Sequence, residues 1–430
     1  MAAPLTIGIA GLGTVGAGVV RLLSENGDLV AARAGREIFV KAVSARDKSR
    51  DRGVDLEGLR WYDDPLALAA DPEIDAVIEL IGGSEGTALD LTREALSAGK
   101  AVITANKALL AHHGTELARL AETNGTTIGY EAAVAGGIPI VKALREGLAA
   151  NDITRVYGIL NGTCNYILTS MRETGRGFAE VLDEAQALGY AEADPTFDID
   201  GVDAAHKLAL LAALAFGCYP DFDAVHIEGI RHVSAQDIAF ANEMGYRIKL
   251  LGVARKTAYG LEQRVHPAMV RIGTPISQIE GVFNAVVAEG DQVDTTLHSG
   301  RGAGAGPTAS AVVADIADLA RGAVPPVFSL PVDRLERLPK AHMGRHQGAY
   351  YIRLMVLDQP GVLADVSALM RDHNVSIEAL IQRARNPGEP VPIVLTTHQT
   401  TEADMIDVLR RIDALDVVLE PPRMIRIEAL

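Results

Sequence analysis

The short apolar run Leu5 to Ala10 ends in Gly11-Leu12-Gly13-Thr14-Val15-Gly16. No other feature restricts the fold so much. A G-x-G-x-x-G that closes a buried strand and opens a helix marks the dinucleotide turn of a doubly wound sheet. Gly11 permits the tight turn, Gly13 lets the backbone approach a pyrophosphate, and Gly16 allows close contact between helix and strand. The helix beyond offers free N–H groups and partial positive charge to phosphates. A nicotinamide dinucleotide, NADP or NAD, is the expected cofactor. The second strand ends Ser44-Ala45-Arg46-Asp47-Lys48. Asp47 is the acid that NAD sites use for the ribose hydroxyl, but it lies between two cations. Arg46 and Lys48 suit a 2′-phosphate, which tilts the expectation toward NADP. A solvated charged turn is the blander reading of the same residues.

Periodicity divides the chain. The first helix, Thr14 to Leu23, is expected to stop at Asn26-Gly27. Strands at Phe39–Ala45, Asp75–Ile81, Ala101–Ala105 and Thr127–Ala132 alternate with helices at Leu89–Ala98 and Leu109–Thr123, which predicts a Rossmann-type parallel sheet. Pro139–Leu148 is a helix leaving that unit. The middle mixes helices (Cys164–Met171, Phe178–Leu188, Asp203–Phe216) with strands (Thr154–Leu160, Tyr246–Ala254, Gln263–Met269, Phe283–Glu289), an α+β pattern. A helix from Pro307 to Ala320 returns to the first domain. Residues 321–349 lack periodicity and read as a linker. From Tyr350 the order is strand, helix (Val362–His373), strand (Val375–Arg383), turn Asn386-Pro387-Gly388, strand (Val391–Thr397), helix (Ala403–Ile412), strand (Val417–Leu419), a ferredoxin-like unit. The expected fold class is therefore α/β. Its domains are 1–135 (completed by the helix at 307–321), 136–320 for substrate and dimerisation, the linker 321–349, and 350–430.

With 40 Lys plus Arg against 56 Asp plus Glu, the formal charge is −16. Phosphate backbones and anionic membranes repel such a chain, so neither nucleic acid nor a membrane is an expected partner. No secretory signal or spanning segment is evident, and a cytoplasmic location follows. Two cysteines, Cys164 and Cys218, argue against a disulfide framework and a thiolate zinc site.

The segment 192–207, EADPTFDIDGVDAAHK, is the richest in chemistry. Asp203 and Lys207 share one helix face, and Leu208 onward is almost wholly apolar. A surface ion pair explains each residue singly. A lysine entering buried surface beside several acids is instead a candidate for a tuned catalytic group. Lys107 follows the strand Ala101–Ala105, at the carboxyl edge where ligands bind. A cation at a helix N-terminus opposes the dipole, which favours a functional reading.

These residues, with GLGTVG, ELIGG (79–83), TANKALL (104–110), YEAAVAGGIP (130–139), GILNGTCNYI (158–167) and GRGAGAGPTASAV, resemble homoserine dehydrogenase over roughly the first 320 residues. From Tyr350 the chain resembles an ACT domain, with Asp358-Gln-Pro-Gly361-Val362-Leu363 as its ligand loop. The resemblance implies interconversion of L-aspartate 4-semialdehyde and L-homoserine, on the route to threonine, methionine and isoleucine. It implies Lys207 as general acid, Lys107 as the group positioning the same oxygen, Glu192 and Asp203 for the substrate ammonium or an intervening water, and Asp198 and Thr163 in the pocket. Thr14, Val15, Ser84 and Gly302 would face the cofactor. The carbonyls of Glu131, Val134, Gly136 and Ile138 would hold a monovalent cation, sodium or potassium. ACT domains often pair and bind amino acids, so threonine is the expected effector and a homodimer or homotetramer the expected assembly. A dehydrogenase for another substrate, or an amino-acid sensor built on an inactive dehydrogenase, are the competing readings. An ACT domain that only holds an oligomer together is a third.

Overall fold

The computed structural model describes residues 3–383 and 387–430. The first unit contains β1 (Leu5–Ala10), α1 (Thr14–Ala34), β2 (Ile38–Ser44), β3 (Arg60–Tyr62), α2 (Leu66–Ala70), β4 (Ala76–Glu79), α3 (Thr87–Ser97), β5 (Ala101–Thr104), α4 (Lys107–Thr123) and β6 (Ile128–Gly129). Its six strands are all parallel, in the order β3-β2-β1-β4-β5-β6. Ile7, Ile9, Val43 and Ile78 pack toward α1, while Ala10, Ala42, Val77 and Val102 pack toward α2, α3 and α4. Both faces are covered, which is why these strands are apolar throughout.

Two expectations here need correction. The first helix does not stop at Asn26-Gly27. Asn26 leaves helical geometry (φ −118°, ψ 17°), yet the helix resumes to Ala34. Val30 and Ala34 have apolar partners in the core, so packing overrides the local turn preference. The stop is Gly35, whose left-handed φ of 70° closes the helix. The helix expected over Pro139–Leu148 is only α5 (Ile140–Lys142) followed by a wide π-type turn, Ala143–Gly147.

The rest of the chain supplies β7 (Ile153–Ile159), α6 (Gly162–Thr174), α7 (Phe178–Ala187), α8 (Thr196–Ile199), α9 (Val202–Phe216), β8 (His226–Ile227), α10 (Ala235–Glu243), β9 (Tyr246–Thr257), β10 (Gly260–Arg271), β11 (Phe283–Gly290), β12 (Asp294–Arg301) and α11 (Ala305–Ala320). Helix α9 lies between α4 on one side and β7, β9 and β10 on the other. That burial explains its apolar run from Leu208 to Leu214. Helix α11 returns to pack on α1.

The C-terminal unit is β13 (Gln347–Leu357), α12 (Val362–Asp372), β14 (Ile377–Gln382), β15 (Pro390–Thr397), β16 (Thr400–Thr401), α13 (Glu402–Asp413) and β17 (Val418–Glu428). Apart from the short β16, this is the expected β-α-β-β-α-β order. Asn386 of the expected turn lies outside the described residues; Gly388 has the positive φ (82°) of a turn glycine. The last strand is far longer than Val417–Leu419. Pro421-Pro422 suggested an end, but the β13 pairing shifts register opposite them, between Arg353 and Met355, and the strand continues. Its far edge then pairs in parallel with β10, Ala268 to Val270 opposite Arg426 to Glu428. The ACT sheet and the middle sheet are thus one, in the order β12-β11-β7-β9-β10-β17-β13-β15-β14.

The connection 321–349 lies against both bodies. Val327, Phe328 and Val332 are buried, and Phe328 meets Tyr130 edge-on with ring centroids 6.1 Å apart. Buried ions reinforce the β10–β17 seam. Arg426 bonds Glu402 at 2.6 Å and Glu228 at 2.9 Å, and Arg264 bonds Glu428 at 2.7 Å. Asp237 of α10 accepts from Tyr351 (2.9 Å) and Arg353 (2.7 Å) of β13. Removing one partner of a buried pair leaves the other charge uncompensated. Arg426→Ala is therefore expected to lower unfolding free energy by about 3–5 kcal/mol, read by urea titration. A loss under ~1 kcal/mol would mean that the seam does not depend on this pair.

Candidate active site

A cleft of about 590 Å³ opens between the parallel sheet and the middle domain. Val15, Lys107, Gly136, Thr163, Glu192, Asp198, Asp203, Lys207 and Gly302, all named from sequence, line it. At its centre Asp203, on the first turn of α9, pairs with two lysines of different domains. Lys107 Nζ, on the first turn of α4, is 3.0 Å from Oδ1, and Lys207 Nζ is 2.7 Å from Oδ2. Lys207 also donates to the Leu160 carbonyl (2.8 Å) at the end of β7. Burial alone would raise the Asp203 carboxyl; Lys207 and Lys107 outweigh it and hold the group far below the usual range. Asp198 goes the other way. Burial, then the like charge of Asp203, push its carboxyl up.

Sequence reasoning passed over Asn161. Its Oδ1 caps α6 by accepting from Cys164 N–H (2.8 Å), while Nδ2 donates to Asp198 (2.7 Å) and Asp203 (2.8 Å). An asparagine just before a helix reads as an ordinary cap, which hides its second task. Thr163 Oγ1 donates to the Tyr190 carbonyl (2.7 Å) and is 3.4 Å from Asp198 Oδ2. Glu192 is exposed at the rim, with no side-chain hydrogen bond or ion pair recorded among the described residues.

The glycine turn has the geometry its pattern implies. Gly11 has φ +99°, and a Cβ on it would overlap Leu80 O; a Cβ on Gly16 would overlap Gly11 O. A Cβ on Gly13 would meet no atom within 4 Å. No side chain caps α1, and no partner is recorded for the Thr14 and Val15 N–H groups among the described residues. Arg46 and Lys48 are exposed at the far end, away from the lysines. Asp47 is turned to Ser49, accepting from its N–H (2.8 Å) and hydroxyl (2.7 Å). Arg52, also missed, stacks on Trp61 (5.6 Å) and reaches Leu12 O (3.1 Å). Ser84 sits half-buried on the loop after β4, outside the cleft lining, on a loop that Asn106 ties down through Gly83 O (2.6 Å).

Three family models match the chain. One described as "Homoserine dehydrogenase, NAD binding domain" covers residues 11–131, "Homoserine dehydrogenase" covers 139–317, and "ACT domain" covers 350–417. Homoserine dehydrogenases of Neisseria gonorrhoeae and Pseudomonas aeruginosa are 46% and 45% identical, each alignment covering 99% of both chains. The crystal structure of a homoserine dehydrogenase from Thiobacillus denitrificans superposes with a TM-score of 0.94 at 46% identity, over 99% of this chain and 98% of that one. The chain belongs to the homoserine dehydrogenase family. It is accordingly an oxidoreductase, with a nicotinamide dinucleotide-binding domain at its N-terminus. A hyperthermophilic archaeal homoserine dehydrogenase mutant solved with NADPH is more distant, at 26% identity and a TM-score of 0.63 over 73% of this chain and 97% of that one.

Homoserine dehydrogenase features outside the lysine cluster fall in two other places. Residues 131–138 form the wall behind Gly136. Ala135 (φ 57°) and Gly136 (φ 50°) are successive left-handed residues. The Glu131 and Ile138 carbonyls accept from Val134 N–H (3.4 Å) and Ile140 N–H (2.8 Å); no partner is recorded for the Val134 and Gly136 carbonyls among the described residues. The Glu131 side chain is buried and caps α5 through Val141 and Lys142 N–H. Burial and then Asp315 push its carboxyl up to about 7. Among the described residues no cluster of His, Cys, Asp or Glu side chains is placed to hold a metal ion. Asp358, Gly361, Val362 and Leu363 line a separate pocket of about 300 Å³, in which Asp358 Oδ2 is buried without a partner among the described residues. Both cysteines are buried and free. Among the described residues no helix is long and apolar enough to cross a membrane.

A histidine pair locks α4 to α9 beneath the lysines. His206 Nδ1 is 2.9 Å from Val202 O and must donate to it, so its Nε2 accepts from His112 Nε2–H at 3.2 Å. His206 stacks on Phe222 with centroids 4.2 Å apart. Burial lowers its pKa to about 4. The unfolded imidazole takes a proton near pH 6.5 and the folded one does not, so stability falls as pH drops from 6.5 toward 4. In unfolding titrations, His206→Phe is expected to remove roughly 3 kcal/mol of that pH-dependent loss. Parallel profiles for the two proteins would show that His206 does not carry it.

Proposed function

We propose that the chain catalyses the reversible NAD(P)H-dependent reduction of L-aspartate 4-semialdehyde to L-homoserine, serving threonine, methionine and isoleucine synthesis. The carrying observation is Asp203 bridging Lys107 and Lys207 in the cleft beside the dinucleotide turn. The nicotinamide supplies the hydride, or takes it in reverse. Lys207, held by Asp203 and the Leu160 carbonyl, gives its proton to the aldehyde oxygen as the carbon is reduced, leaving a neutral amine and a primary alcohol. Lys107 polarises the same oxygen from the opposite domain. Glu192, the rim carboxylate without a recorded partner, takes the substrate ammonium, with Asp203 sharing through water; Asp198 and Thr163 complete the pocket. A positioned general acid contributes typically 10²–10⁴-fold. Lys207→Ala is therefore expected to lower kcat by about that factor while the NADPH dissociation constant stays unchanged. Near-normal turnover would remove Lys207 from the role.

On the cofactor side we assign Gly11, Gly13, Thr14, Val15 and Gly16 to the pyrophosphate turn, and Ser84, Lys107 and Gly302 to the nicotinamide half. Arg46 and Lys48, joined by Arg52, favour a 2′-phosphate and so NADP, because Asp47 is engaged by Ser49. A sodium or potassium ion fits the 131–138 turn as a ligand of the Glu131, Val134, Gly136 and Ile138 carbonyls, since oxygen donors suit hard cations. It would stiffen the wall around Gly136.

Threonine is the proposed effector at Asp358, Gly361, Val362 and Leu363. The orphaned Asp358 oxygen offers an acceptor for its ammonium. Strand β14 is an open sheet edge with Leu380 42% exposed, which suits pairing into a homodimer or homotetramer. A cytoplasmic location belongs to the same reading. Deleting residues 350–430 would strip β10 of its neighbour β17, so a point variant is the cleaner test. Asp358→Ala is expected to abolish inhibition by threonine without changing the basal rate. No threonine effect on the unaltered enzyme would leave the domain a structural part only.

A further inference from the structure

Buried polar groups in folded proteins nearly always have hydrogen-bond partners. Asn284, on β11, departs from that rule at the cleft. It is 1% exposed, lines the cleft, and its side-chain Oδ1 is buried without a partner among the described residues. The surrounding backbone is drawn in around the amide. A Cβ on Gly302 would overlap the Asn284 amide itself, and a Cβ on Gly136 would overlap the Gly302 carbonyl. Two glycines therefore keep this amide seated against the wall.

Its position says what it faces. A dinucleotide on a sheet ordered β3-β2-β1-β4-β5-β6 has its pyrophosphate over β1, with the adenosine toward β2 and β3 and the nicotinamide toward β4 to β6. Gly136 follows shortly after β6, so Asn284 belongs to the nicotinamide half. The nicotinamide ring carries one polar substituent, a carboxamide, with one acceptor and two donors. A primary amide is its complement and can pair with it at both ends.

We propose that Asn284 pairs with the nicotinamide carboxamide and fixes the rotation of the ring, and so the face it turns to the lysines. This deepens the cofactor assignment above and rests on it. The probe is the oxidised 3-acetylpyridine analogue of NADP, whose methyl ketone keeps the acceptor and lacks the amide donors. Dissociation constants are measured by calorimetry without substrate. The unaltered protein is expected to bind NADP roughly five- to tenfold more tightly than the analogue, the range of one neutral hydrogen bond. Asn284→Ala and Asn284→Ser, the second keeping the proposal testable should the first not fold, are expected to bind both equally. Asn284→Asp, which still accepts from the amide, is expected to keep most of the preference. A preference that persists in the alanine or serine variant overturns the proposal. So does unchanged cofactor binding with a raised KM for the semialdehyde, which would give the amide to the substrate. Because the ratio is read without substrate, it decides this pairing even if aspartate semialdehyde proves not to be the substrate.

Discussion

Asp203 pairs with Lys107 at 3.0 Å and accepts from Lys207 at 2.7 Å, and the rest of the site is arranged around that carboxylate. A buried ion cluster is weak evidence for stability, because desolvation offsets much of the Coulomb attraction. Its value here is positional. Helix α4 belongs to the parallel sheet and α9 to the middle domain, so one carboxylate fixes two ammonium groups that no single element holds together. Asn161 ties Asp203 to Asp198, and the His112–His206 contact locks the same two helices together. The lysines then share the lining of a cleft with Val15, on the first turn of the helix that the glycine turn opens.

The C-terminal unit is built into the same body. Strand β17 is at once the last strand of the ferredoxin-like sheet and the parallel neighbour of β10. Val265 on β10 lies beside Gly201, which opens α9 in a left-handed conformation (φ 86°) that a side chain would crowd. Chain pairing and packing thus run without a break from the 358–363 pocket's own sheet to the helix that bears Asp203 and Lys207. Whatever changes the geometry of β17 is applied directly to β10.

Much of this was legible in the residues, for specific reasons. Buried parallel strands leave apolar runs, and a glycine turn between strand and helix has few alternatives, so five of the six strands of the first domain could be read; the short β3 and α2 lack a run long enough to show a period. The lysine–acid segment stood out because charges rarely precede a stretch as apolar as 208–214. What stayed hidden was non-local. Strand β12 is a polar sheet edge with no clear alternation. Asn26-Gly27 looked like a stop because the packing of Val30 and Ala34 cannot be seen from neighbours in sequence. Pro421-Pro422 concealed the strand that joins the two sheets. Asn161 and Asn284 were missed because an uncharged amide gains meaning only from what it is folded against.

The most direct test of the central arrangement is single-turnover hydride transfer in Asp203→Asn, followed by stopped flow with NADPH protiated or deuterated at the transferred position. Asparagine keeps the shape and removes the charge that holds both lysines. The expected result is cofactor binding within about twofold of the unaltered enzyme, hydride transfer slowed by ~10² or more, and a primary isotope effect fully expressed. Hydride transfer within about threefold of the unaltered rate would contradict the account, since the lysines would then need no carboxylate between them.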